Sequence, residues 1–191
     1  MKKNRKIGQA IAAHKRAVVE LEKNSVEVIV GIAEAITKTF KKGGTVYICG
    51  NGGSAADAQH IAAELMGRFE RDRKGLPAVA LTTDTSLLTS VANDYSFEDI
   101  FHRQVDAFVK KGDILWCIST SGASANVLKA AKAAKKKDAL VIAFTGRRRS
   151  PLERTADLCF CAGDKSAARS QEIHQLAYHI ICGLVEDCLC K

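Results

Sequence analysis

Five short, almost uninterrupted apolar runs constrain this chain more than any other feature. They fall at residues 45–49, 78–81, 114–118, 140–144 and 158–161, and stretches of helical periodicity separate them. A strand buried on both faces reads as a continuous apolar run, whereas a strand with one wet face alternates. Helices between such strands supply the crossovers that parallel pairing needs. The pattern predicts an α/β fold of three layers, a five-stranded parallel sheet flanked by helices. Such a sheet takes its ligands outside the carboxyl ends of its strands.

The first forty residues read as helix, with Ile11, Val18, Leu21, Val28, Ile32, Ile36 and Phe40 near helical spacing. Ser25 is the expected N-cap of a second segment, and Gly43-Gly44 closes it. Further helices are expected over 55–68, 85–91, 97–109 and 126–136. A last one starts at 166 or 169, with Ile173, Leu176, Ile180 and Leu184 on its buried side. A length of 191 residues suits one domain, 1–191. Within it a helical segment, 1–42, precedes an α/β core, 43–191. A long amphipathic helix in that place is either an oligomerisation element or a cover for the sheet.

Several function classes drop out. The net charge is +8, but the basic clusters at 41–42, 135–137 and 147–149 carry no interleaved aromatics, so no nucleic-acid partner is expected. No apolar stretch approaches the roughly 18 residues of a membrane span. The apolar run at 7–13 is cut short by His14-Lys15-Arg16, which argues against a signal peptide and for a cytoplasmic protein. The seven cysteines form no C-x-x-C pair, consistent with a reduced compartment.

Two strand ends carry unusual loops. After the first strand comes Gly50-Asn51-Gly52-Gly53-Ser54. It matches neither the dinucleotide fingerprint nor the Walker loop. It is either an ordinary strand-to-helix turn or a close backbone approach to a ligand. After the third strand, Ser119, Thr120, Ser121 and Ser124 present four hydroxyls within six residues, just before a helix opens near Asn126. A helix cap needs one hydroxyl. Four hydroxyls beside unpaired helix N–H groups make a cradle for a phosphate dianion.

The helix after the first loop carries Asp57, His60 and Glu64, the last two one turn apart. The last helix carries Gln171, Gln175 and His179 at successive turns. His60, Glu64, Gln171 and His179 make a four-ligand N/O set for a divalent metal. Spacing alone favours ordinary surface or satisfied polar residues. The pair Asn93-Asp94 likewise reads as turn residues.

Taken together, Cys49 to His60, then Glu64-Leu65-Met66-Gly67-Arg68-Phe69, resemble the bacterial phosphoheptose isomerases. These are sedoheptulose 7-phosphate isomerases of the sugar isomerase (SIS) domain superfamily, with a flavodoxin-like sheet. Ile118 to Val127 resembles their phosphate loop, and Arg169-x-Gln171-Glu172-Ile173-His174, with His179 following, their C-terminal active-site helix. The resemblance runs in collinear order from about residue 40 to the end.

It implies one Zn²⁺ per subunit at His60, Glu64, Gln171 and His179, with Glu64 as general base and His179 as general acid. It implies substrate contacts at Asn51, Gly52, Gly53, Ser54, Glu64, Asn93, Asp94, Ser119, Thr120, Ser121, Ser124 and Gln171. It also implies a homotetramer with active sites at subunit interfaces. The expected reaction takes sedoheptulose 7-phosphate to D-glycero-D-manno-heptose 7-phosphate through an enediol, the entry to ADP-heptose and surface heptose. The chain departs from the pattern in two places: Arg147-Arg148-Arg149 stands where many relatives have a glycine-rich loop, and Ala168 stands where some relatives have Asp.

Rival readings differ in kind. A partner-binding SIS protein, like the one that associates with the DnaA initiator, lacks the counterparts of Glu64 and His179, and this chain has both. A sugar-phosphate-sensing regulator usually carries a helix-turn-helix domain. An isomerase of another sugar phosphate is the alternative that sequence separates least.

Overall fold

The computed structural model describes residues 2–164 and 166–190. The five apolar runs become β1 (Val46–Gly50), β2 (Ala78–Ala80), β3 (Ile114–Ser119), β4 (Leu140–Thr145) and β5 (Leu158–Cys161). They form one parallel sheet in the order β2-β1-β3-β4-β5. From β1 the chain goes outward to β2, then returns to β3 on β1's other side. That reversal opens a crevice between the loops that follow β1 and β3. The two unusual loops occupy those places.

Side chains alternate across the sheet. Ile114, Trp116 and Ile118 of β3 enter one core with Val46, Ile48 and Phe144. Leu115 and Cys117 enter the other with Cys49, Val141 and Ala143. The first core is covered by α1 (Lys2–Asn24), α2 (Val26–Lys41), α3 (Gly53–Met66) and α8 (Ala167–Leu189). The second is covered by α4 (Thr85–Asp94), α5 (His102–Phe108), α6 (Ala125–Lys136) and α7 (Pro151–Thr155). This sorting matters for function, because α3 and α8 share a face and pack together.

Several local expectations change. The break after Asn24 occurs, yet Ser25 makes no side-chain cap. The backbone ladder runs through it, Ser25 N–H to Leu21 O and Ile29 N–H to Ser25 O. Gly43, at φ 75°, does close α2: its N–H reaches Phe40 O and that of Gly44 reaches Thr39 O. The expected helix over 97–109 divides into a 3₁₀ turn, Phe97–Asp99, and α5, because Ser96 caps the Glu98 N–H and starts a tighter turn. On α8 the buried side is Ile173, Ala177, Tyr178, Ile181, Cys182 and Val185, while Ile180 is exposed. The expected stripe followed Ile180 around the wrong edge of the helix. Helix α7 went unread, although Ser150 and Glu153 form a capping box with Pro151 at the first helical position.

Candidate active site

The first loop is held tight by its neighbours. A Cβ at Gly50 would lie 2.7 Å from Ser54 O and 2.9 Å from Ile118 O. Gly52 adopts φ 55°, a left-handed conformation that favours glycine. A Cβ at Gly53 would overlap the Gln171 side-chain amide, so Gln171 lies directly over the start of α3. Ser54 is buried in that first turn. The Asn51 and Asn126 amides exchange two hydrogen bonds, each 2.9 Å, and Asn126 Oδ1 also accepts the Val127 N–H. This pair ties the two loops together.

The serine loop resolves the capping question. Ser124 occupies the N-cap position of α6, but its hydroxyl makes no cap bond. It lies 3.0 Å from the Ser119 hydroxyl, which lies 3.3 Å from that of Ser121. Three hydroxyls thus converge at the start of a twelve-residue helix, whose partial positive end favours an anion. Backbone bonds brace the loop from outside: Gly146 N–H to Thr120 O, and Leu152 N–H to Gly122 O, each 3.0 Å.

On α3 and α8, His60 Nε2 lies 2.9 Å from Glu64 Oε1 and 3.4 Å from His179 Nε2. One donor atom from each of the three residues falls within 4.8 Å of the others. Two imidazoles and a carboxylate are a donor set suited to a divalent cation such as Zn²⁺. Their facing nitrogens, both Nε2, also suit a shared ion better than two rings competing for protons. Burial, then the neighbouring His60, lowers the His179 pKa, and Glu64 opposes this. Asp57, one turn before His60, is raised to about 6 by burial, with His60 opposing.

The surroundings include groups that spacing did not reveal. Tyr178, buried, places its hydroxyl 3.1 Å from His60 Nδ1. Phe69 stacks on the His179 ring, centroids 5.6 Å apart and planes 22° apart. The Phe69 position belongs to the stretch that carries the family resemblance. Tyr178 has only its place beside His179 to mark it.

Other expected residues stand elsewhere. Gln171 is two turns before His179 on α8. Asn93 and Asp94 lie in the last turn of α4 and not in a turn beyond it, since Val91 O still accepts the Tyr95 N–H. Both are exposed, and the Asn93 amide donates to the Asp94 carboxylate. Among the described residues no hydrogen bond joins them to the serine loop or the histidines. A cavity of about 580 Å³ lies between α1 and the strand end at β5, and none of the expected site residues lines it.

Comparison with known proteins gives the same picture over the whole chain. The SIS domain family matches residues 9–146. A phosphoheptose isomerase of Roseiflexus sp. (strain RS-1) is 48% identical over 177 residues, covering 91% of this chain and 90% of its own. One from Aquifex aeolicus is 47% identical over 191 residues, covering 100% of this chain and 98% of its own. The solved phosphoheptose isomerase GmhA from Neisseria gonorrhoeae superposes with a TM-score of 0.91 at 43% identity, covering 96% of this chain and 98% of that one. With a reversal-point crevice, a serine cradle and this likeness throughout, the chain belongs to the phosphoheptose isomerase family of SIS domain proteins.

Proposed function

We propose that this chain is an aldose–ketose isomerase that converts sedoheptulose 7-phosphate to D-glycero-D-manno-heptose 7-phosphate, the first step toward ADP-heptose. The observation that carries the reading is the approach of His179 on α8 to His60 and Glu64 on α3. A partner-binding protein needs neither a base nor an acid there.

The isomerisation moves a proton between adjacent carbons through an enediol. Glu64 takes and returns the carbon-bound proton, and His179 moves the proton at oxygen. The serine hydroxyls and the α6 N-terminus hold the phosphate, so binding energy from the unreactive end positions the reactive one. His60, Glu64, Gln171 and His179 would hold a Zn²⁺, which when bound polarises the carbonyl and orients the hydroxyls. Asn51, Gly52, Gly53, Ser54, Asn93, Asp94 and Thr120 complete the proposed substrate contacts.

The subunits assemble as a homotetramer in this reading, with 1–42 as the assembly segment of a single domain. The exposed apolar residues Ile7, Ile11, Val19, Val26 and Val30 on α1 and α2 support it. Free cysteines, and no described helix long and apolar enough to cross a membrane, suit a cytoplasmic enzyme.

The test is direct. The purified protein is incubated with sedoheptulose 7-phosphate and aldose formation is followed. Turnover that is lost in Glu64→Gln, with the circular dichroism spectrum unchanged, supports the reading. Absence of turnover with or without added Zn²⁺ overturns it.

A further inference from the structure

We propose that Glu186, acting through the loop after α3 and Phe69, is a positioning residue for His179. The proposal rests on the reading of His179 as part of the reactive site.

Glu186 lies on α8, seven residues after His179 and therefore on the same side of the helix. Its side chain is 2% exposed. The carboxylate accepts three successive backbone N–H groups, from Phe69 and Glu70 at 2.9 Å and from Arg71 at 3.1 Å. It also accepts the Arg73 Nε–H at 2.8 Å. Arg73, itself 6% exposed, turns its other nitrogens onto α3. It donates to Leu65 O at 2.7 Å and to Glu64 O at 2.8 Å. These are carbonyls of the helix end, which lack intrahelical partners. One buried ion pair therefore joins the helix bearing Glu64, the helix bearing His179 and the loop between α3 and β2.

A buried ion pair is weak evidence for stability, because desolvation offsets the attraction. Its distinctive effect here is geometric. Three consecutive N–H groups aimed at one point need an acceptor. Only a carboxylate satisfies all three while neutralising Arg73, so the loop has one register on α8. That register lays Phe69 against His179. The imidazole is then boxed by Phe69 on one side, Tyr178 at 4.7 Å and His60 at 5.0 Å between centroids. Hydrogen bonding keeps Glu186 ionised, its pKa lowered against the effect of burial. The clamp acts by fixing a ring, and no step of the chemistry passes through it.

The experiment uses the full chain and the variants Glu186→Gln and Phe69→Leu. Circular dichroism checks the fold, and rates are counted per folded molecule. The His179 Cε1–H resonance, compared without substrate and at matched metal content, reports ring-current shielding by Phe69. Both variants should lose that shielding. In both, kcat on sedoheptulose 7-phosphate should fall roughly tenfold, the scale seen when supporting partners of a site residue are lost, with KM within about twofold. Folded variants that keep the wild-type resonance, or that keep wild-type kcat, overturn the proposal. Should Glu186→Gln fail to fold, Glu186→Asp is read in its place, since it keeps the charge but draws the carboxylate back from its three N–H donors; Phe69→Leu leaves that clamp intact and reports only what the stacked ring does for His179. A wild-type protein without turnover would count against the isomerase reading, while the resonance would still decide the positioning.

Discussion

The Tyr178 hydroxyl lies 3.1 Å from Nδ1 of His60, whose other nitrogen faces Glu64 at 2.9 Å. A phenol can donate or accept. With Nε2 protonated toward the carboxylate, Tyr178 donates to Nδ1. For Nε2 to offer a lone pair to a cation, the proton must sit on Nδ1, and Tyr178 then accepts. The same contact serves both tautomers, as a carbonyl could not.

Tyr178→Phe therefore tests whether His60 needs this partner as a ligand. The ring still fills its buried site, so the fold should persist with a loss of about 1 kcal/mol for one hydrogen bond. Affinity for Zn²⁺, measured by competition with a chromogenic chelator, should fall about 10–100-fold. An unchanged affinity would show that the tautomer is set elsewhere.

Asn126 is 2% exposed and carries both bonds to Asn51. Asn126→Asp keeps the shape but replaces a donor with an acceptor facing Asn51 Oδ1. A buried mismatch of this kind costs about 1–3 kcal/mol. We expect a lower thermal midpoint and a raised KM for sedoheptulose 7-phosphate, because the two loops lose their tie while Glu64 and His179 are untouched. If KM stays put while the midpoint drops, the amide pair serves stability alone.

The layers of the fold were readable because burial on both faces erases alternation in each strand, and β3 is buried at all six positions. The gathering of hydroxyls at the start of α6 was readable because four Ser/Thr in six residues exceed what a cap uses, and three of them converge there. Spacing alone did not give the meeting of His60 with His179, since two polar residues at helical spacing describe any wet face; the family resemblance supplied it. Only the sorting of α3 and α8 to one side of the sheet brings them together. Ile180 misled for a related reason: an apolar residue at i+4 from Leu176 extends a stripe that in fact turns toward Tyr178 and Ile181. Arg73 and Glu186, 113 positions apart, leave no local trace.

Gly53→Ala separates space from strain. The backbone at Gly53 needs no left-handed conformation, and the obstacle to a methyl group is the end of the Gln171 side chain. A flexible amide can move, so the fold should hold within about 1 kcal/mol, in the range of ordinary Gly-to-Ala changes. The displaced Gln171 should weaken Zn²⁺ binding and turnover together. Full activity in a folded Gly53→Ala protein would remove Gln171 from the site. Gly52→Ala, at φ 55°, is instead expected to lower stability, because the strain is in the backbone.

His174 gives the chain a predictable acid limb. Its ring is fully buried beside Phe144 and Phe160, with centroids at 5.3 and 6.1 Å, and Nε2 donates to Thr145 O at 3.1 Å. Among the described residues Nδ1 has no partner, so a proton there would be buried without a counter-charge. Burial lowers the pKa to about 4 from 6.5, and the bond to Thr145 opposes this. Below 6.5 the unfolded chain binds a proton that the folded chain refuses. Stability from this group is thus complete above about pH 6.5 and declines as pH falls toward 4, by roughly 3 kcal/mol in all. Asp57, raised to about 6 from 3.8, contributes in the opposite sense over the same range, because its folded state binds the proton first. The two are separated by comparing urea unfolding of the wild type and His174→Gln from pH 4.5 to 7.5. The variant should be less stable at pH 7.5, having lost a well-packed ring, yet its stability should fall less on acidification. Parallel curves would mean that His174 is not the group that titrates.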